Sequence, residues 1–481
     1  MTIPCRGRRI VMLMVATMLY ASQPVRAQQS SGASRTALAR DAFALVGVHV
    51  LPMTSDTVLR DMTVLVRDGR IASIGASGAA PVPPDAQVVD ARGKYLIPGL
   101  WDAHVHLSFA GPEILPLFVA HGVTTVRDAG SRFDSTRAMR ARIDTGDLVG
   151  PRILTSGPVL EGAAWMEAAH KIAPPEDPVW KAAPRVVTSK ENISRIVDSL
   201  KAAGVDLIKS RNVWGDDFLA LAAATERAGI PLAAHNPNRV NMADAARGGL
   251  DSFEHAESIW GDFDTMTVAA RARMFDEVAR TGALVTPTLM ADIGLTVSSD
   301  SAIEAVLADS LGVVDRRNRS LPRAMRQMWR LAMEQRRKYG APPVGTWEKI
   351  TRDVRAMHRA GITMMAGTDV GGIPRVYPGS SLYEELELLV REGGLTPLRA
   401  LQTATRNPPR FFGQRPTVAP HADPFAVGAV ADLVVLDASP LTDVANVRRI
   451  HAVVLRGRPF DRAALDALVA DAERAAGART E

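Results

Sequence analysis

Residues 100–107 read LWDAHVHL, an apolar run that ends in two histidines one residue apart. A strand buried on both faces has this texture, because a parallel sheet covered by helices has no solvent side. Seven similar stretches follow: GVTTVRDAG (122–130), RILTSGPVL (152–160), VDLIKS (205–210), PLAAHN (231–236), LDSFEHA (250–256), ALVTPTLM (283–290) and ITMMAGTD (362–369). Segments of helical pattern separate most of them, such as SKENISRIVDSLKAAG (189–204) and DDFLALAAATERAG (216–229). Eight such units predict an α/β chain whose central part, 97–415, is a (β/α)8 TIM barrel. No G-x-G-x-x-G follows the first strand, so a dinucleotide-binding open sheet has no support. Residues 291–361, rich in Arg, Met and Ala, read as a helical insertion beyond the seventh strand. It serves either as packing bulk or as a lid.

Outside the barrel the pattern changes to short alternating strands. FALVGVHVLP (43–52), MTVLVRDGRIASIG (62–75) and AQVVDARGKYLIPG (86–99) precede it. VGAVADLVVLDASP (427–440) and RRIHAVVLRGRPF (448–460) follow it. Asp68-Gly69 between two such runs is a hairpin signal. These pieces predict one small β-sandwich domain built from both termini, 42–96 and 416–465, with a C-terminal helix or tail over 466–481.

The polar residues fall where the barrel strands stop. His104 and His106 end strand one, Lys209 strand four, His235 strand five, His255 strand six and Asp369 strand eight. The strand ends of such a barrel open on one face, where catalytic groups from several strands meet. A period of two puts His104 and His106 on the same side of their strand, within reach of one ion. Imidazole and carboxylate are ordinary ligands of zinc and similar divalent metals. Singly, each residue reads as a surface or core side chain or a helix cap; it is the shared register that argues for a site. His49, His121, His358, His421 and His451 lie outside that register. His170, in a loop on the site face, is a candidate substrate contact.

Residues 1–27 read as a signal peptide: Arg6, Arg8 and Arg9, an apolar run from Ile10 to Ala21, then Val25-Arg26-Ala27. The run is shorter than the ~20 residues of a membrane span. A lead-in rich in Ser, Ala and Gln, 28–41, reads as disordered. The expected location is secreted or periplasmic, with no membrane attachment after cleavage. The leader would carry away Cys5, the only cysteine, so no thiolate ligand or nucleophile is expected. The chain has 57 Lys+Arg and 52 Asp+Glu, and removing the leader's four arginines leaves 53 against 52. A near-neutral chain speaks against a nucleic-acid partner. A small-molecule substrate is expected, and homo-oligomerisation stays open.

PGLWDAHVHL, GVTTVRDAG, GVDLIKS, LAAHN, GGLDSFEHAES and MMAGTDVGG together resemble the amidohydrolase superfamily. The branch most similar holds imidazolonepropionase-like proteins and metal-dependent Xaa-Pro and Xaa-Arg/Lys dipeptidases. SLYEELELLVREGGLTPLRALQTATRNPPRFFG (381–413) and residues 428–458 resemble that branch too. The resemblance implies two divalent metal ions, zinc being the expected species. His104 and His106 with Asp369 would hold the more buried ion, and His235 and His255 the second. Lys209 would carry a carbamate bridging both, and Asp369 would act as general base. It implies hydrolysis of the amide bond of a small N-acyl amino acid or dipeptide by a water activated between the ions. The alternatives are a mononuclear cyclic-amide hydrolase or deaminase resembling imidazolonepropionase, and a non-catalytic scaffold. Lys209 favours the binuclear reading, and the complete ligand set speaks against a scaffold. Three loops depart from the branch: AHNPN (234–238) carries Pro237, SLYEEL carries Tyr383, and SRNVWGDD (210–217) replaces a Ser/Gly-rich loop. Tyr383 and Arg375, after strand eight, complete the candidate substrate contacts.

Overall fold

The computed structural model describes residues 42–171, 185–256, 263, 266–340, 343, 345–413 and 423–477. The expected leader and lead-in, 1–41, lie outside the described residues, as do residues 414–422 at the second domain junction and the last four.

Eight parallel strands form the barrel. In order they are Leu100–Val105, Val123–Asp128, Arg152–Thr155, Ile208–Arg211, Leu232–Ala234, Ser252–Glu254, Leu284–Thr286 and Thr363–Met364. Strands one to three pair in parallel, as do four to eight. Asp206 N donates to Thr155 O at 2.8 Å and joins the two groups. The ring closes between strands eight and one, where Ala103 N donates to Ala366 O at 2.9 Å and Asp369 N to His104 O at 2.8 Å. Strands one and two are buried along their whole length. Inside the barrel, Trp101, Ala103, Leu154, Leu207, Ala233, Leu284 and Met365 pack on Phe411 and Phe412. This plug fills the end remote from the histidines, so the interior is a packed core open at one mouth.

Two details differ from the sequence reading. The expected third strand, 152–160, is broken: Arg152–Thr155 is followed by Ser156-Gly157-Pro158 and then a separate strand, Val159–Gly162. Gly157 adopts φ +66°, a turn conformation that ends the first piece. Val159–Gly162 then takes a mouth strand, Arg185–Thr188, as its outer neighbour. Within the insertion, Thr346–Arg359 precedes strand eight as a regular barrel helix does. The additional elements are a π-helical turn Ile293–Val297 and helices Asp300–Ala308 and Arg323–Tyr339. Arg336 ties them together, donating to Leu295 O at 2.5 Å, Ser298 O at 3.0 Å and Asp300 Oδ1 at 2.6 Å.

Both termini build one eight-stranded β-domain sheet. Tyr95–Pro98 pairs antiparallel with Leu433–Leu436, the junction of the N- and C-terminal parts. Alternation along this junction explains how the sheet serves two cores. Leu96, Leu433 and Val435 face the domain's own core with Phe43, Val64 and Phe425. Ile97, Val434 and Leu436 turn the other way, into the barrel core. Stretch 448–460 is a hairpin rather than one strand: Ile450–Leu455 returns as Arg458–Asp461. Its turn, Arg456-Gly457, has φ +50° and +76°, like the Asp68-Gly69 turn with +50° and +76°. Positive φ at both central residues is the geometry of two-residue hairpins that match strand twist. The two turns touch. A Cβ on Gly457 would lie 2.2 Å from Gly69 Cα. The C-terminal helix, Arg462–Gly477, begins four residues earlier than expected and packs against helix Leu115–Ala120.

Gly457→Ala tests this turn-on-turn contact. Gly146 has φ +78°, and a Cβ there would meet nothing within 4 Å, so Gly146→Ala exposes the backbone term alone, about 1–2 kcal/mol. Gly457→Ala should cost a further ~1–3 kcal/mol from overlap. Urea unfolding followed by circular dichroism measures both; equal losses would show that the turns do not need their contact.

Candidate metal centre

Each sequence-selected ligand sits at the barrel mouth for a local reason. His104 lies near the end of strand one and is fully buried. Its Nδ1 lies 2.5 Å from Glu254 Oε2. Burial, then the charges of Lys209, His106 and Arg127, hold its pKa well below the ordinary histidine value. The ring is therefore neutral, its proton sits on Nδ1 toward the carboxylate, and Nε2 presents a lone pair to the mouth. That buried Nε2 has no hydrogen-bond partner. His106 is oriented the same way, since its Nδ1 lies 2.8 Å from the carbonyl of Gly130, which can only accept. His106 Nε2 then points at Asp369 Oδ1, 3.0 Å away. His104 Nε2 is 3.6 Å from the same oxygen.

These spacings test whether the residues fit a metal. Ligand atoms ~2.0–2.1 Å from one ion, at angles of about 90–120°, lie roughly 2.9–3.6 Å apart. His255 Nδ1 is 3.8 Å from Asp369 Oδ2, and one ligand atom from each of His104, His255 and Asp369 falls within a 4.8 Å group. The His255 ring is 4.4 Å from that of His104 and 4.7 Å from that of His235. Lys209 Nζ is buried with no hydrogen-bond partner, a large cost for a cation unless something else occupies the site. His106, Lys209, His235, His255 and Asp369 line one pocket, with His104 beneath it. The structure thus brings all six sequence-selected residues together, and their donor set fits a divalent ion. Burial lowers the pKa of His235 and His255 far below the ordinary value, so both rings are neutral. Burial raises the pKa of the Asp369 carboxyl, and the neighbouring charge of Lys209 is among the contacts that bring it below the usual range.

The backbone at two of these positions is strained. His255 has φ +66° and Asp369 φ +59°, in the left-handed region. Such positions cost of order 1–3 kcal/mol each and persist where surroundings fix them. Asp369 is fixed by its N–H bond to His104 O and by Asp102. The Asp102 carboxylate accepts from Thr368 N at 3.0 Å and Thr368 Oγ1 at 2.6 Å.

Glu254 and Arg127 are the functional residues that the sequence reading passed over. Glu254 accepts from Arg127 Nη2 at 2.7 Å and from Ser252 Oγ at 2.5 Å. The available signal was a charged residue inside an otherwise buried strand, which requires a partner.

The three candidate substrate contacts lie elsewhere. His170 is the half-buried last residue of helix Ala163–His170, outside the pocket lining. Arg375 Nη1 donates to Ser298 Oγ at 2.7 Å, tethering the loop after strand eight to the insertion. Tyr383 Oη donates to His121 O at 2.8 Å and lines a different cavity with Arg317 and Arg448. Instead, the insertion supplies Leu295, Met328 and Ala332 to the wall of the metal pocket.

The model of the amidohydrolase family matches residues 95–460. The chain belongs to the amidohydrolase family. Its coarse activity is that of an amidohydrolase-family hydrolase acting on amide bonds. Among curated relatives, ochratoxinase of Aspergillus niger is 23% identical over 451 residues, 82% of this chain and 81% of that protein. Among solved structures, a bottromycin amidohydrolase matches with TM-score 0.68 and 24% identity, covering 91% of each chain. A Xaa-Pro dipeptidase with bound methionine matches with TM-score 0.63 and 18% identity, covering 87% of this chain and 100% of that one. At these identities the structural matches show the fold. Among the described residues, no helix is long and apolar enough to cross a membrane.

Glu254→Gln keeps an acceptor for His104 but removes the charge facing Arg127. Metal retention should weaken about 10–100-fold, the range for residues that orient a metal-ligating histidine. Competition with a chromogenic chelator measures it, with a retained circular-dichroism spectrum as the check on folding. Unchanged retention would mean that Glu254 only closes the barrel.

Proposed function

We propose that this protein is a binuclear metal-dependent hydrolase that cleaves the amide bond of a small N-acyl amino acid or dipeptide. The observation that carries the reading is the spacing of His104, His106, His255 and Asp369 atoms about one point, with Lys209 and His235 in the same pocket. His104, His106 and Asp369 would hold one ion, and His235 and His255 the other. When bound, two divalent ions, with zinc the expected species, supply Lewis acidity that polarises the amide carbonyl and acidifies water. Asp369, ionised because its pKa is lowered, takes the proton of the attacking water and delivers it to the leaving nitrogen. Leu295, Met328 and Ala332 of the insertion give the pocket an apolar wall, so the 291–361 segment helps to shape the site. The leader directs the chain to a secreted or periplasmic location.

Lys209 would supply an anionic ligand to the ions. Burial pushes its pKa down to about 8; Glu254 and Asp369 oppose this, while Arg127 and Arg211 add to it. A neutral amine is therefore accessible. Its nitrogen lone pair adds to the carbon of carbon dioxide, forming an N–C bond and releasing a proton. The resulting carbamate is an anionic oxygen ligand where the ammonium would repel cations. A mononuclear ring-opening hydrolase is the second reading, favoured by the tight group of His104, His255 and Asp369 that suffices for one ion.

Lys209→Ala should lower turnover by at least about 100-fold and reduce bound metal, and short carboxylic acids should restore part of the activity. Lys209→Arg should resist rescue, because a guanidinium stays cationic and fills the space. The assay is a screen of dipeptides, N-acyl amino acids, lactams and lactones on metal-loaded protein, with metal content measured beside it. One ion per chain in both proteins, with near-normal turnover of Lys209→Ala, would select the mononuclear reading.

A further inference from the structure

Arg185 and Arg211 also line the metal pocket; Arg211 adds to the depression of the Lys209 pKa, and neither has been given a part in holding substrate. Arg211 lies two residues after Lys209 on the same strand, so both side chains leave the same face. Arg185 begins the mouth strand Arg185–Thr188 and pairs in register with Val159, itself part of the pocket wall. Glu161, two residues further along that neighbouring strand, faces Arg211 across the ladder. Its carboxylate is 1% exposed. It accepts from Arg211 Nε at 2.8 Å and from Asn212 Nδ2 at 3.2 Å, and lies 3.9 Å from Arg185 Nε. One buried carboxylate thus hydrogen-bonds the Arg211 guanidinium and lies beside that of Arg185, the two being 14% and 6% exposed in the wall of the site. Holding guanidinium groups rigid in advance is what planar, two-pronged recognition of a carboxylate requires.

The rest of the wall limits what such an anion belongs to. Phe109, Val159, Leu295, Met328 and Ile373 give it an apolar lining. Same-face neighbours on a strand are about 6.6 Å apart. That spacing separates the backbone positions of Lys209, whose amine enters the proposed centre, and Arg211, so the two long side chains enter the pocket side by side. The scissile carbonyl carbon of the acyl group and the α-carboxylate carbon of the leaving amino acid are three bonds apart, under ~4 Å.

We propose that Arg185 and Arg211, braced by Glu161, form the subsite that receives the free α-carboxylate on the leaving-amine side of the substrate. The substrate is then an N-acyl amino acid or dipeptide with an unblocked C-terminus, not its amide or ester. This rests on the hydrolase reading for the position of the scissile bond, and the test separates the two.

The probes are N-acetyl amino acids with aliphatic, aromatic, prolyl, acidic and basic side chains, each paired with its C-terminal amide. Turnover and calorimetric binding are both measured on the metal-loaded protein. For at least one pair, the acid should exceed the amide by about 100-fold in kcat/KM or in affinity. Arg185→Met and Arg211→Met should each cut that ratio about 10–100-fold, the range for losing a charge-assisted hydrogen bond. Arg211→Lys keeps the charge without the fork, should fold with Glu161 still paired, and should retain part of the ratio. Metal content in all three variants controls for damage to the centre. Acids that bind in preference to amides without turnover, with the ratio lost in Arg211→Met, support the carboxylate subsite while the hydrolase reading fails. Hydrolysis with no acid preference in any pair overturns the subsite and leaves the hydrolase standing. A ratio that survives both methionine substitutions, or no binding of any acid, also overturns it.

Discussion

The fixed point of the molecule is the buried ion pair between Glu254 and Arg127. Arg127 rises from strand two, hydrogen-bonds the Ala103 carbonyl of strand one, and reaches Glu254 on strand six and Thr286 Oγ1 on strand seven at 3.0 Å. Its guanidinium also lies 4.6 Å from the Phe411 ring centre, over the plug. One side chain thereby links four strands across the barrel interior. Burying such a pair is not free stability, because desolvation offsets much of the attraction. What it gives is position. Both Glu254 oxygens accept from Arg127, and Oε2 also orients His104, so the ring's remaining nitrogen has a single direction.

The mouth is arranged around that direction. Asp102 places Thr368, and Thr368 precedes Asp369, whose own N–H is held by strand one. The strained backbone at His255 and Asp369 is tolerated because the barrel closes on both sides of it. Burial keeps His104 and His255 neutral, whereas Asp369 stays ionised in spite of its burial because neighbouring groups outweigh it.

Much of this was legible in the sequence, for definite reasons. Strands such as Val123–Asp128 are buried on both faces and so stand out as apolar runs. Histidines at the ends of such runs mark the open face of a barrel. Glu254 was hidden by its neighbour: beside His255 it reads as a strand terminus, and only the fold reveals Arg127 opposite. Arg185 was hidden because its strand is short and half-exposed, with no apolar period to announce it. The hairpin at Arg456-Gly457 was missed because arginine is an unusual residue at positive φ. Tyr383 shows a different limit. A position in a motif fixes where a residue is in the chain, not which side of helix Ser381–Arg391 it leaves, and Tyr383 leaves toward His121.

The pairing of Tyr95–Pro98 with Leu433–Leu436 bears on how the chain reaches this state. Strand Tyr95–Pro98 is synthesised before the whole barrel, and its partner after it. Until then its backbone donors and acceptors on that side, and the apolar side chains of Leu96 and Ile97, have no native cover. Contacts this distant in sequence are slow to form and leave strand edges open to wrong partners in the interval. The sheet is therefore completed only after the whole barrel has been made, although its first strands precede the barrel in the chain. Over that interval the early strands must stay unpaired along this edge without meeting a wrong partner.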